Sequence, residues 1–348
     1  MGFSPLDRRL KLGAHHWTPE TIQGVVRLGV EIASYRRAAE TYQAVTKLAL
    51  SKSALQTLVG EYGGQLVAIE AQEAEATVKA PARDEEVITA RQMAPPDSEV
   101  MAVSLDGVMI NVRGEGWKEV RVATISAVEE TVAQERDEEK EVRLTRHSYR
   151  AGLWEAKEFA KHQWAEGCRR GLERAWRIVA VADGAHWIWL IIMMCYAPCI
   201  EIIDWWHAVA KLGTAANGVF GAGDERAAMW IEAQKHHLWG GNLRAVLAAL
   251  RVLCPRGRRL NGAAWSTISY LYHHRRRMAY ADYRDAGYPI GSGSVESACK
   301  VVVQARMKQA GMRWSRSGAQ AMLALRSTLL SGRWDTIWPT LEPVPQPT

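Results

Sequence analysis

The chain has 348 residues, 48% of them hydrophobic, which suits two or three domains with sizeable cores. Its 44 Lys and Arg against 38 Asp and Glu leave a formal net charge of +6, a mildly basic balance that suits a polyanionic partner. The 5 cysteines show no CxxC pair and no zinc-knuckle spacing, which excludes a zinc ribbon and predicts reduced thiols in a cytoplasmic protein.

The first residues, Met1-Gly2-Phe3-Ser4-Pro5-Leu6-Asp7, lack the basic-then-apolar order of a signal region. Thr18-Pro19-Glu20 reads as an N-cap with proline at the first helical position. Helical spacing follows in Ile22, Val25, Val26 and Leu28, then in a second segment from Tyr35 to Val45 and a third from Ser51 to Tyr62. Three such helices predict a helix-turn-helix-like DNA-binding domain over 1–71, its last helix opening on Ser51-Lys52-Ser53. Any other small three-helix bundle gives the same pattern. Residues 72–99 are charged and rich in Ala and Pro, the composition of a linker or an extended connecting helix.

A core begins at residue 100. Strands are predicted over Val100–Leu105, Trp117–Ile125 and Glu141–His147, with a hairpin turn at Asn111–Gly116 between the first two. A long helix is expected over Leu153–Arg174, then strands Ile178–Ala182 and Cys199–Ile203. The uncharged stretch His186 to Ile200 is shorter than the roughly 20 residues a membrane span needs, so it predicts a buried helix plus a central strand and no membrane. Strand, strand, strand, helix, strand, helix, strand is the order of the ribonuclease-H-like α/β fold. That topology assigns 100–207 to the first part of a catalytic core, 208–285 to an all-helical insertion, 286–338 to the second part, and 339–348 to a disordered tail.

Three acids stand at informative places. Asp106 follows Val103-Ser104-Leu105, Asp183 follows Val179-Ala180-Val181-Ala182, and each precedes glycine, as if presented at a strand end. Glu296 opens a helix after Gly291-Ser292-Gly293, with Ser294 the expected N-cap. Singly, each reads as a turn or dipole residue. Together, beside a stretch at 251–335 with 15 Lys/Arg and only 4 Asp/Glu, they predict an oxygen-ligand site for two Mg²⁺ ions, with Mn²⁺ able to substitute.

Ser104-Leu105-Asp106-Gly107-Val108-Met109, Gly116-Trp117-Lys118-Glu119-Val120, Ala182-Asp183-Gly184-Ala185-His186-Trp187 and Ile203-Asp204-Trp205-Trp206-His207-Ala208 resemble blocks of bacterial insertion-sequence transposases of the ISKra family. The most specific block runs from Gly287 through Ser294-Val295-Glu296-Ser297 to Lys300, then Arg306-Met307-Lys308 and Gly311-Met312-Arg313-Trp314-Ser315. The resemblance spans roughly Phe3 to Trp338. It implies a DDE-type, Mg²⁺-dependent transposase with Asp106, Asp183 and Glu296 as catalytic metal ligands. It further implies double-stranded DNA partners (terminal inverted repeats and target), a homodimer or higher oligomer on that DNA, and a cytoplasmic, nucleoid-associated location. Asp204-x-x-His207 resembles the Asp/Cys-x-x-His element of Mutator-like relatives. Family members often carry a cysteine-rich zinc segment ahead of the helical region, and this chain begins without one, which predicts altered recognition of element ends.

His207 is expected to touch the scissile phosphate with Asp204 orienting or capping, or else to pack against Trp205 or Trp206. Lys300, one turn after Glu296, is expected to hold a phosphate. Arg306, Lys308, Arg313 and Arg316 are expected to form a DNA-backbone track, with Lys52, Arg275 and Arg276 as further contacts. Most of the 15 tryptophans recur at helical spacing and read as core; Trp314 is the expected base-stacking contact. A catalytically silent DNA-binding repressor or architectural protein, and a structure-specific nuclease on the same fold, are the rival readings.

Overall fold

The computed structural model describes Arg9, Leu12 and residues 17–78, 95–131, 141–253 and 262–342. Helices α1 (Pro19–Glu31), α2 (Tyr35–Thr46) and α3 (Lys52–Val78) precede strands β1 (Val100–Val112), β2 (Gly116–Thr131) and β3 (Glu141–Gly152). Then come α4 (Ala156–Arg169), β4 (Arg177–Ala182), α5 (His186–Tyr196) and β5 (Ile200–Ile203). The helices α6 (Trp205–Phe220), α7 (Glu225–Trp239), α8 (Leu243–Leu253), α9 (Gly262–His273) and α10 (Tyr280–Asp285) follow. Next, α11 (Gly293–Ala298) continues through a π-helical stretch, Cys299–Gln304, into a last turn, Ala305–Met307, and α12 (Arg316–Leu330) and α13 (Trp334–Ile337) close the chain. No helix among the described residues is long and apolar enough to cross a membrane.

The fold is mixed α/β. One five-stranded sheet has the order β3-β2-β1-β4-β5, antiparallel from β3 to β1 and parallel from β1 to β5, which is compatible with the expected ribonuclease-H-like core. β5 therefore lies at a sheet edge, not at its centre. Several elements run past their predicted ends. The first strand continues through Asp106 to Val112, because β2 pairs with it all the way from Met101 to Val112. The third helix does not stop at Tyr62; it continues to Val78, into the stretch read as linker, of which residues 79–94 lie outside the described ones. The long helix expected at Leu153 starts at Ala156 and ends at Arg169, since Gly171 takes a left-handed backbone before a short 3₁₀ turn at Leu172–Arg174.

Two cores meet along β1. One gathers the first half of β1, β4, β5, α4, α5 and the helices after β5, around Val103, Ile178, Val181, Ile192 and Leu212. The other gathers Val108, Ile110 and Val112 from the second half of β1 with α1 to α3, the Glu296 helix, α12 and Trp334–Leu341. The expected helix-turn-helix-like unit thus shares its core with residues 295–341. Gln65 exchanges two hydrogen bonds with the Glu342 backbone, so the first residues of the predicted disordered tail are packed; 343–348 lie outside the described residues.

Candidate active site

The parallel ladders align the acids. Val103 pairs with Ala180, so the row three residues on holds Asp106 beside Asp183. Ala182 pairs with Ile203, so the next row holds Asp183 beside Asp204. The Asp204 N–H donates to the Ala182 carbonyl at 2.8 Å, which keeps ladder geometry at that point. Adjacent strands lie about 4.8 Å apart, so three aspartates occupy one edge of the sheet. Asp106 is not at a strand end: its strand runs on, and only its β4 neighbour stops there. Ser292, not Ser294, is the residue before the Glu296 helix; Ser294 is already helical, and its Oγ meets Thr124 Oγ1 at 3.2 Å, tying that helix to β2.

Asp204 is fully buried and saturated with donors. Its Oδ1 accepts from the His207 backbone N–H at 2.7 Å and from His207 Nδ1 at 2.9 Å, and its Oδ2 accepts from the Ser292 N–H at 2.6 Å. Burial pushes its pKa up, but the bonds from His207 and Ser292 outweigh it and hold the carboxyl below its ordinary value. The same contact raises His207, chiefly through the Asp204 hydrogen bond, with Asp183 and Glu296 adding in the same direction. An ionised Asp204 accepts only, so Nδ1 carries the proton and Nε2 is left for another partner.

Asp106 is half-buried, with its Oδ1 accepting from the Gly107 N–H at 2.7 Å and its Oδ2 facing the Cys299 thiol at 3.5 Å. Burial raises its pKa; the Gly107 and Cys299 contacts offset part of this, and the negative charge of Asp183 adds to it. Asp183 Oδ1 accepts from the Ala185 N–H at 2.8 Å. No hydrogen bond from a described residue reaches the Glu296 carboxylate.

The tightest ligand group among the described residues is Asp204, His207 and Glu296, whose ligand atoms lie within 4.8 Å of one another. Asp106 and Asp183 stand beside this group and do not belong to it. The donor chemistry fits a divalent cation at this end of the sheet: unpaired carboxylates repel one another, and a bound cation removes the repulsion. Oxygen donors from Asp106, Asp183 and Glu296 suit Mg²⁺, whereas the imidazole of His207 suits Mn²⁺ or Zn²⁺ better.

The basic residues divide. Lys300, Lys308, Arg313, Lys52, Arg275 and Arg276 are exposed. Arg316 is exposed too, but its guanidinium grips Glu115 at 2.6 Å. Arg306 does not form part of a surface track: it is 1% exposed and donates to the Gly29 and Ala33 carbonyls, closing the end of α1. Trp314 is not an exposed stacking platform either. It is 7% exposed, its Nε1 donates to Met307 O at 3.0 Å, and its backbone bridges Val112. Trp206, 63% exposed beside His207, is the tryptophan that faces solvent at the site. Nothing in its sequence context separates it from buried Trp205. Cys299 beside Asp106 is likewise invisible in sequence, since 193 positions separate the two.

No protein-family model matches the chain, and no curated protein matches it. Among solved structures it is similar to a Drosophila P element transposase strand transfer complex, at 8% identity and a TM-score of 0.29, over 98% of this chain and 85% of that one.

Proposed function

We propose that the protein is a divalent-metal-dependent DNA strand-transfer enzyme, a DDE-type transposase of the kind its ISKra-like blocks resemble, acting on the ends of an insertion sequence. One observation supports the chemistry above the others: Asp106, Asp183 and Asp204 share one edge of three neighbouring parallel strands, and the Glu296 helix lies against the same sheet. Like charges collected at one level of three neighbouring strands call for a cation. The choice of DNA as substrate rests on the resemblance and on the basic excess of residues 251–335.

In this reading Asp106, Asp183 and Glu296 hold the cation, Mg²⁺ with Mn²⁺ able to substitute. A bound pair of such ions would lower the pKa of the attacking water or 3′-hydroxyl and stabilise the leaving oxygen. Asp204 serves His207: it fixes the tautomer and makes the ring more basic, so that Nε2 can donate to a phosphate oxygen. Engagement of two element ends requires at least a dimer.

The test is incubation of the purified protein with its flanking inverted repeats and Mg²⁺, with nicks mapped on both strands. Asp106→Asn and Asp183→Ala are each expected to slow cutting at least about 1000-fold, roughly 4 kcal/mol of barrier. Duplex binding in EDTA should change less than about threefold, because phosphate contacts and not the acids supply it. Normal nicking by Asp183→Ala would refute the assignment.

A further inference from the structure

We infer that the molecule has a second nucleic-acid contact surface: a basic groove, remote from the acids, that holds the phosphate backbone of a duplex flanking them. This rests on the reading of nucleic acid as substrate and adds the place where its flank lies. The groove has a volume of about 630 Å³ and forms only where the N-terminal helices meet the segment before α12. Exposed Arg36, Lys52, Arg113 and Arg313 line it, each from a different element, and among the described residues no Asp or Glu does. Neither terminal part of the chain makes it alone.

Two further features make the groove positive. Ser34, Lys52 and Ser315 bring the starts of α2, α3 and α12 to its wall, each helix presenting the positive end of its dipole. Beneath lies Arg306, 1% exposed, whose Nη2 has no hydrogen-bond partner among the described residues and whose guanidinium has Tyr35 and Trp314 stacked at 4.5 Å and 5.3 Å. Its other bonds go to backbone carbonyls. Arg326 is arranged the same way, donating to Val302, Val30 and Val301 carbonyls. A buried charge is ordinarily neutralised by a carboxylate; here no salt bridge among the described residues involves either arginine. Arg326 does not line the groove and feels the charge of Glu31, so it is the field of Arg306 that is left for something outside, and an open groove with spread-out cations fits a repeating polyanion.

Arg113 follows Asp106 by seven residues along β1 and its turn, about 23 Å at roughly 3.3 Å per residue. That is the rise of about seven base pairs. A duplex cut at the acids would therefore lay its flank on this groove.

The test reads anisotropy of a labelled 30-base-pair duplex with the full chain in EDTA, across a salt series. Arg113→Glu with Arg313→Glu should weaken binding at least about tenfold and shrink the salt slope by about 2, near 0.9 for each phosphate that is no longer neutralised. Arg36→Ala with Lys52→Ala, on the other wall, should move both readouts the same way, which guards against a folding failure in one pair. Lys157→Glu with Arg244→Glu, exposed on α4 and α8 and outside the groove, imposes the same change in net charge and should alter affinity less than about threefold. Groove variants that bind no worse than this control, or a wild-type protein that binds no duplex, would overturn the inference. Weakened groove variants together with a wild type that never nicks would leave the groove standing and remove the strand-transfer reading. Unchanged groove variants with metal-dependent nicking would do the reverse.

Discussion

Asp204 stays ionised in a fully buried place because the groups hydrogen-bonded to it, from His207 and Ser292, are all donors. His207 is the beneficiary, and the coupling has a measurable sign. Its raised pKa means the proton is bound more tightly in the folded state, so this contribution to stability is present in acid and fades as pH rises through the folded value. Asp204→Asn should bring the His207 titration, followed by NMR of the ring protons, down towards its ordinary value near 6.5. An unmoved titration would mean that Asp204 does not hold the ring. A second buried group works the other way. Burial pushes Glu166 up, but Arg333, Arg169 and Arg150 hold it down to about 2. Its contribution is therefore complete above the ordinary carboxylate range and lost as pH falls towards 2. Buried His162, pushed down to about 3 mainly by burial, also penalises acid, because unfolding lets it take a proton from about pH 6.5 downward. Glu166→Gln should cost about 3–5 kcal/mol in urea unfolding, since Arg150, 2% exposed, would keep only Glu70. A loss under 1 kcal/mol would show that the three arginines find other partners.

At the level of elements, β1 and α3 show what the sequence can and cannot carry. The order of strands and helices in the core was legible, because alternation and apolar runs bounded by glycine are local signals. So were the Thr18 cap of α1 and the Arg113–Glu115 turn. The ends were not. Gly63-Gly64 follows Tyr62, the expected end of the third helix, yet Gly63 lies where α3 crosses α12: an added Cβ would stand 2.7 Å from Ala321 Cβ and 2.9 Å from its carbonyl oxygen. Nothing lies within 4 Å of the same position at Gly64. Two neighbouring glycines thus have different reasons. Gly63→Ala should destabilise by about 1–3 kcal/mol through overpacking, while Gly64→Ala should stabilise by up to about 1 kcal/mol by removing backbone freedom in a helix interior. Equal melting temperatures for the two variants would contradict this close crossing. The acid row was largely legible: each Asp stands after an apolar run, and the strand order of the expected fold sets the first strand, with Asp106, beside the fourth, which ends before Asp183; only the level at which Asp204 joins them depends on register between strands far apart in the chain. Burial of Arg306 and Trp314 had no local signal, since basic and aromatic residues in a Gly- and Ser-containing stretch look the same over a core or over solvent.

On the scale of the whole molecule, the site lies at the junction of two cores. Asp183 and Asp204 belong to elements of the first, Glu296 to the helix of the second, and Asp106 to the strand that runs through both. The N-terminal helices complete the second core, covering Val108, Ile110 and Val112. A chain lacking residues 1–71 should therefore melt less cooperatively than the full chain, followed by circular dichroism; an equally sharp transition in it would show that the catalytic part folds alone. The central claim, that acids from both cores seat a divalent cation together, is open to direct measurement by titrating Mn²⁺ into the protein and counting free ion by electron paramagnetic resonance. Saturable binding in the wild type, lost in Asp183→Asn and equally in Glu296→Gln, is the expected result. Binding that survives unchanged in both variants would mean that the cores do not share a cation, and the proposed chemistry would have no seat.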